Sequence, residues 1–311
     1  MLRRKIDLWP LSTHVAYFTL LVLAWNHGRY DWTMAAYVAG ICLTAFQGAV
    51  QNHNAIHCPV FTKRWMNRAY QVVLTLIYGH PSSSYVPGHN LGHHKATDTP
   101  KDAMRTSKAR FRLNVLNILL FILIVAKSVA SADSAYAAAM RKRHPVWFRQ
   151  LAIEMTTLIT VSAVLLYLDW KLALLLWFFP HFYAQWGITG INLLQHDGCD
   201  IQSKYNHSRN FVDPLLNLLA FNNGYHTIHH MKPGLHWSLA KEAHDREVAP
   251  HIHPNLVQKS LFKYLFITYG LNKRLDYLGN PYFPPPDPPD ENWIPAPDET
   301  PEDLGAVTLA A

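Results

Sequence analysis

The chain alternates long apolar stretches with polar segments dense in histidine. The first apolar run, roughly Leu11 to Trp25, follows Arg3, Arg4 and Lys5. The second, Trp32 to Val50, holds 19 uncharged residues, about 28 Å of helix at roughly 1.5 Å per residue. Only a short loop with Gly28 and Asp31 separates them, which predicts a membrane hairpin. Leu151 to Leu168 and Leu172 to Leu194 predict a second hairpin, turning at Asp169, Trp170 and Lys171. The last run is uncharged for 23 residues, long enough to span with tilt. No small-residue cleavage site follows the first run, so it does not read as a signal peptide.

Between the hairpins, Leu113 to Ala126 is uncharged for fourteen residues, flanked by Arg112 and Lys127. That stretch reaches only about 21 Å, short of the roughly 30 Å hydrocarbon core, and predicts an interfacial helix. Two hairpins then leave every long polar segment on one side. The basic clusters Arg3–Lys5, Lys63/Arg64/Arg68, Arg105/Lys108/Arg110/Arg112 and Arg141–Arg143 all fall there, and the positive-inside bias makes that side cytoplasmic. The expectation is an all-α integral membrane protein of a bacterial inner membrane or its equivalent. It has four transmembrane helices in two hairpins, interfacial helices, a histidine-bearing cytoplasmic cap and both termini in the cytoplasm.

Composition sharpens this reading. Hydrophobic residues make up 50% of the 311 and charged residues 16%, well below the roughly 25% charged of soluble domains. That excludes a disordered or collagen-like chain. Three cysteines, Cys42, Cys58 and Cys199, have no paired spacing and make no disulfide framework or zinc-finger set. The net charge of +7 is explained by basic clusters beside membrane segments, which orient the chain and touch anionic head groups. No nucleic-acid-binding motif accompanies it. From Pro281 to Ala311 there are nine prolines, seven acidic residues and no Lys or Arg. That composition cannot bury a core and predicts a disordered tail, residues 281–311, after one membrane domain, residues 1–280.

Nineteen histidines remain to be explained. His53/His57, His89/His93/His94 and His226/His229/His230 form three clusters, and Asn192/His196 a sparser fourth. Residues three or four apart share a helix face, whereas adjacent ones such as His93 and His94 diverge by about 100° and can serve different ions. Two such patterns arise by chance in about one sequence in a hundred of this composition. Neutral imidazoles in this number have one common use, which is binding transition metals. Nine of them exceed the needs of one zinc ion and suit two metals with open positions. Near-exclusive imidazole ligation disfavours magnesium and calcium, while iron, copper, nickel and zinc all remain compatible. The other histidines lack the spacing and read as surface or satisfied buried residues. His181, inside a membrane run beside Pro180, is the exception most worth a role.

The order H-x3-H, H-x3-HH, N-x3-H and H-x2-HH between two hairpins resembles the membrane fatty acid desaturase and hydroxylase superfamily, over about residues 10 to 265. The most specific stretch is Asn222 through Pro233, which looks like the desaturase third box. The resemblance implies two irons held by the boxes at the cytoplasmic membrane face, with O2 as co-substrate. Carried over, His53 and His57 match the first box, His89, His93 and His94 the second, and His226, His229 and His230 the third. His196 matches the extra histidine of the last membrane helix, and Asn192 the position that reaches an iron through water in acyl-CoA desaturases. The second box has three intervening residues rather than the commoner two and looks like that of membrane alkane hydroxylases.

The resemblance therefore implies an O2-dependent diiron desaturase that introduces a double bond into a long acyl chain, with hydroxylation of an alkyl or acyl chain as the alternative. No His-Pro-Gly-Gly haem segment occurs. Electrons are then expected from a separate protein of ferredoxin, rubredoxin or cytochrome b5 type, and the basic surface suits an acidic carrier. A histidine-lined metal transporter would place ligands near the bilayer centre, whereas these clusters lie at or beyond the ends of the apolar runs. A non-catalytic scaffold leaves the histidine spacing unexplained.

Overall fold

The structure, a computed structural model, describes residues 1–291, 294 and 296. It is mostly helical and forms two compact units. The first comprises residues 1–85 and 140–188, and the second residues 86–139 and 189–291.

In the first unit, α1 (Leu8–His27) ends at Gly28, whose φ of 61° is the left-handed cap that favours glycine. The chain re-enters at α2 (Trp32–His57), where the Asp31 side chain accepts from Met34 N at 3.0 Å. The predicted hairpin is present, and α2 runs on past Val50 to carry His53 and His57 in its last turns. Next comes α3 (Arg64–Tyr78), which lies so close to α2 that a Cβ on Gly48 would meet Ile77 Cγ2 at 2.3 Å. The core here is Tyr17, Ile41, Ala45, Ile77, Leu176 and Trp177 with their neighbours.

Between the second box and the last hairpin lie the short α4 (His94–Ala96), α5 (Asn114–Arg143) and α6 (Pro145–Ala173). The α6 helix breaks at Asp169 (φ −158°, ψ 101°), whose carboxylate accepts from Lys171 N and Leu172 N and starts a new helix. The chain reverses there, because the Trp177 indole donates to Ser162 Oγ at 2.9 Å, a contact a straight helix forbids. The second hairpin thus turns where the sequence expects it.

The length assigned to the middle run needs correction. The fourteen residues Leu113–Ala126 are only the start of α5, a helix of 30 residues, about 45 Å at roughly 1.5 Å per residue. No Pro or Gly interrupts the Ala- and Ser-rich stretch after Lys127, so nothing stops the helix before Arg141–Arg143. By length and composition α5 is long enough to cross a membrane, as are the helical segments Lys5–His27, Trp32–His57 and Pro145–His196.

The second unit is more polar. It holds α7 (Phe179–His196) from Thr189 on, α8 (Pro214–Leu219), α9 (His226–Met231), α10 (Ala240–Glu247) and α11 (Leu261–Leu265). A two-residue parallel ladder joins β1 (Asn210–Phe211) to β2 (Val257–Gln258). Two apolar clusters support it, one around Phe121, Leu193 and Phe211, the other around Tyr225, Ile228 and Val248.

The first part of the Pro-rich segment has defined partners. Residues 281–291 lie against this unit through ion pairs from Arg105 and Lys108 to Asp287 and Asp290. Charge pairing replaces the apolar burial that the composition lacks. The rest of the tail, residues 292, 293, 295 and 297–311, lies outside the described residues.

Candidate metal centre

Four histidines of the second unit converge. One ring nitrogen from each of His93, His196, His226 and His230 lies within 4.8 Å of the other three. Metal–imidazole bonds of about 2 Å place opposed ligand atoms about 4 Å apart, so a small contraction closes this set on one ion.

Two of the four rings have their outer nitrogen fixed. His93 Nδ1 faces Asp102 Oδ2 at 2.9 Å, and its buried Nε2 has no hydrogen-bond partner among the described residues. His196 Nδ1 donates to the His207 carbonyl at 3.1 Å. These bonds assign the proton of each ring to Nδ1 and turn the Nε2 lone pair inward. His226 Nε2 meets His196 Nε2 at 2.9 Å and His230 Nε2 at 3.1 Å. One imidazole proton cannot serve both contacts, so the set holds more lone pairs than protons. A cation bound among these nitrogens would satisfy the lone pairs. Burial, reinforced by the surrounding imidazoles, drives the His230 pKa well below the ordinary value, which keeps the ring neutral and able to ligate at pH 7.

A second convergence lies beside it. His94 Nε2 is 3.1 Å from His89 Nε2 and 3.0 Å from His229 Nε2. The backbone explains how one short segment serves both groups. Val86–His93 is π-helical, and α4 begins at His94. The wider π turn accommodates the additional residue of the second box, stacking His89 on His93 at 5.4 Å while bringing it edge-on to His94 at 4.6 Å. In the first unit, His53 and His57 sit one turn apart on α2 with ring centroids 5.5 Å apart.

A family model described as fatty acid desaturase matches residues 30–259. The chain belongs to the fatty acid desaturase family. No curated protein matches it.

In this member of the family the third box is built by local constraints that spacing alone does not reveal. Phe221 and Asn222 have positive φ, and a Cβ on Gly224 would meet Phe211 O at 2.1 Å. The box helix α9 then starts on Asn210, whose Oδ1 accepts from Thr227 N at 3.0 Å and whose Nδ2 donates to Thr227 Oγ1 at 2.7 Å. Buried Arg209 caps the end of α7 by donating to Leu194 O and Asp197 O, next to His196. Asp197 in turn accepts a forked pair from Arg274.

Asn192 lies one turn before His196, and its Nδ2 donates to Met104 O at 3.1 Å. His181 has protein partners on Nε2 and on its ring face. Its Nε2 lies 2.9 Å from Leu76 O and 3.1 Å from Tyr17 Oη, and Trp177 packs on it at 4.3 Å. It joins α1, α3 and α7 in the first unit.

Sequence reasoning missed Asp102 and the carbonyl of His207. Asp102 lies in an irregular loop whose path no periodicity predicts, and a backbone carbonyl has no signature. Burial raises the Asp102 pKa, but His93 and the N–H groups of Asp98 and Met104 outweigh it and hold the carboxyl below its ordinary value. Asp98, buried beside that charge, is pushed up to about 6.

Proposed function

We propose that this desaturase-family protein uses two irons and O2 to introduce a double bond into a long acyl chain. The observation that carries the reading is the inward-facing quartet His93, His196, His226 and His230, together with family membership. Those four residues hold one iron. His53, His57, His89, His94 and His229 hold the other, as the family's boxes imply, and Asn192 contributes through water. When bound, the irons supply the O2 activation that attack on an unactivated C–H bond demands.

The chain's own residues orient and exclude. Asp102 and the His207 carbonyl keep two imidazoles in the ligating tautomer, and burial of His93 and His196 keeps bulk water from them. The apolar substrate enters from the bilayer, and a separate ferredoxin-, rubredoxin- or cytochrome b5-type protein delivers electrons. The active site and both termini are cytoplasmic. In this reading α5 begins and ends on that side without spanning, because His94 before it and His196 after the α6–α7 hairpin both serve the metal centre. Cysteine labelling near Ala135 only from the outer side would reject that topology.

A second reading, hydroxylation of an alkyl or acyl chain, is favoured by the three residues between His89 and His93. Family membership weighs against a metal transporter. Expression with a matched reductase in a host of known lipid profile, followed by mass spectrometry of total lipids, separates the outcomes. Acyl chains lighter by two hydrogens are expected. A gain of one oxygen without new unsaturation selects hydroxylation, and an unchanged lipid profile rejects both.

A further inference from the structure

The second box is followed by a loop that carries Arg105, whose side chain is 1% exposed. A buried guanidinium needs acceptors for five N–H donors. Arg105 finds them at both ends of the second unit's sequence. Its Nε and Nη2 fork onto Asp287 at 2.8 and 3.1 Å, Nη1 reaches Asp290 at 2.6 Å, and Nη2 also donates to Pro288 O. On the other side its backbone N and Nη1 donate to the carbonyl of Asp102 at 3.3 and 3.4 Å, and Nη1 reaches Pro100 O at 3.4 Å. Asp102 is the residue whose carboxylate holds His93.

The neighbouring contacts make a strap. Ser107 Oγ donates to Asp287 at 2.7 Å. Lys108 Nζ and Ser128 Oγ converge on Asp290 at 2.7 and 2.6 Å. Glu291 N donates to Pro100 O at 3.0 Å. Arg110 donates to the carbonyls of Pro284 and Pro285 and lies over Phe283 at 5.1 Å. Six prolines between 281 and 290 fix φ and lower the entropy lost when the segment is held. This segment lies beyond residue 259, where the family match ends.

We infer that Asp287 and Asp290 are positioning residues for the metal centre, acting through Arg105 and the Asp102 loop on His93. The inference rests on the reading of His93 as a metal ligand. Without the two carboxylates the Arg105 charge is buried and unpaired, a state that is strongly disfavoured. Arg105 then moves toward water, the loop loses its clamp, and the hydrogen bond that fixes the His93 tautomer loosens. Partners behind a metal-bound histidine typically change metal affinity by about 10–100-fold.

The test uses the full-length protein in detergent, loaded with cobalt(II). D287N/D290N is compared with the wild type and with D245N, which disrupts only the exposed Lys241–Asp245 pair. Transfer of cobalt to a chelator should be about tenfold faster in the double variant, its ligand-field spectrum should shift, and residues 98–106 should exchange amide hydrogen faster without metal. D245N should match the wild type in all three. If the double variant fails to fold, D290N alone is read in the same way, since Asp290 is 42% exposed. Wild-type release and spectrum in the variant overturn the inference, whatever the exchange at 98–106. Failure of the wild type to take up cobalt overturns the metal reading and the inference with it.

Discussion

His181 and His196 are both buried and both on α7, yet they do different work. In the first unit, His181 bonds to a carbonyl and a tyrosine hydroxyl under a tryptophan, and its polar contacts close on protein groups. In the second, His196 has one nitrogen tied to a carbonyl and the other aimed at the nitrogen of a second imidazole. Two carboxylates repeat the contrast. Glu154 accepts from Ser83 N, Ser83 Oγ and Gln150 Nε2, a closed set within apolar helices. Asp102 passes its bond on to a histidine whose inner nitrogen has no hydrogen-bond partner among the described residues. Burial therefore does not identify a ligand. At His93 and His196 what does is a nitrogen turned inward by a partner on its far side.

The largest effects should come from the histidines that this contrast separates. His196→Ala, His93→Ala and His229→Ala should remove most of the bound iron and all activity, whereas His181→Ala should retain its iron. Iron per chain in the purified proteins decides it. Full zinc with near-zero iron in active protein would sink the diiron assignment.

Asp102→Asn should weaken metal binding by about 10–100-fold, and Glu154→Gln should leave it unchanged while lowering thermal stability. Chelator competition and melting curves for both variants give the comparison. Equal loss of metal in the two would erase the distinction between closed and ligand-directed carboxylates.

Two glycines sharpen it further. A Cβ on Gly224 meets a backbone oxygen in the third box, and one on Gly48 meets a side chain between α2 and α3. Each Gly→Ala change should cost roughly 1–3 kcal/mol as overpacking, but only Gly224→Ala should also reduce metal content. Metal analysis of the folded fraction measures that.

The smallest effect is expected at Tyr17→Phe. It removes one of the two hydrogen-bonding contacts of His181 and should cost about 1 kcal/mol with no change in iron. A loss of iron in that variant would give His181 a part in the metal centre.

The histidine spacing, the hairpin turns at Gly28–Asp31 and Asp169, and the apolar runs were all legible in the sequence. Each depends on residues within a few positions of one another, where helix period and capping chemistry act. The reach of α5 is not legible from charge: Lys127 ends the uncharged run, but helices stop at caps, glycine and proline rather than at a single charge. The contacts of residues 281–291 are illegible for a related reason. Composition reports that a segment cannot build a core, but not that a buried arginine elsewhere will hold it.

By itself, then, the sequence determined that this is a membrane-associated helical protein with histidines in metal-binding registers. The tertiary structure decided which nitrogens turn inward, and it did so through Asp102, the His207 carbonyl and Arg209. It also decided that Arg105 would carry the strap of Asp287 and Asp290. The physical reason is the range of the interactions. A helical register is set within one turn, whereas the tautomer of a buried imidazole is set by whichever donor or acceptor loop closure brings against it, and that partner has no fixed distance along the chain.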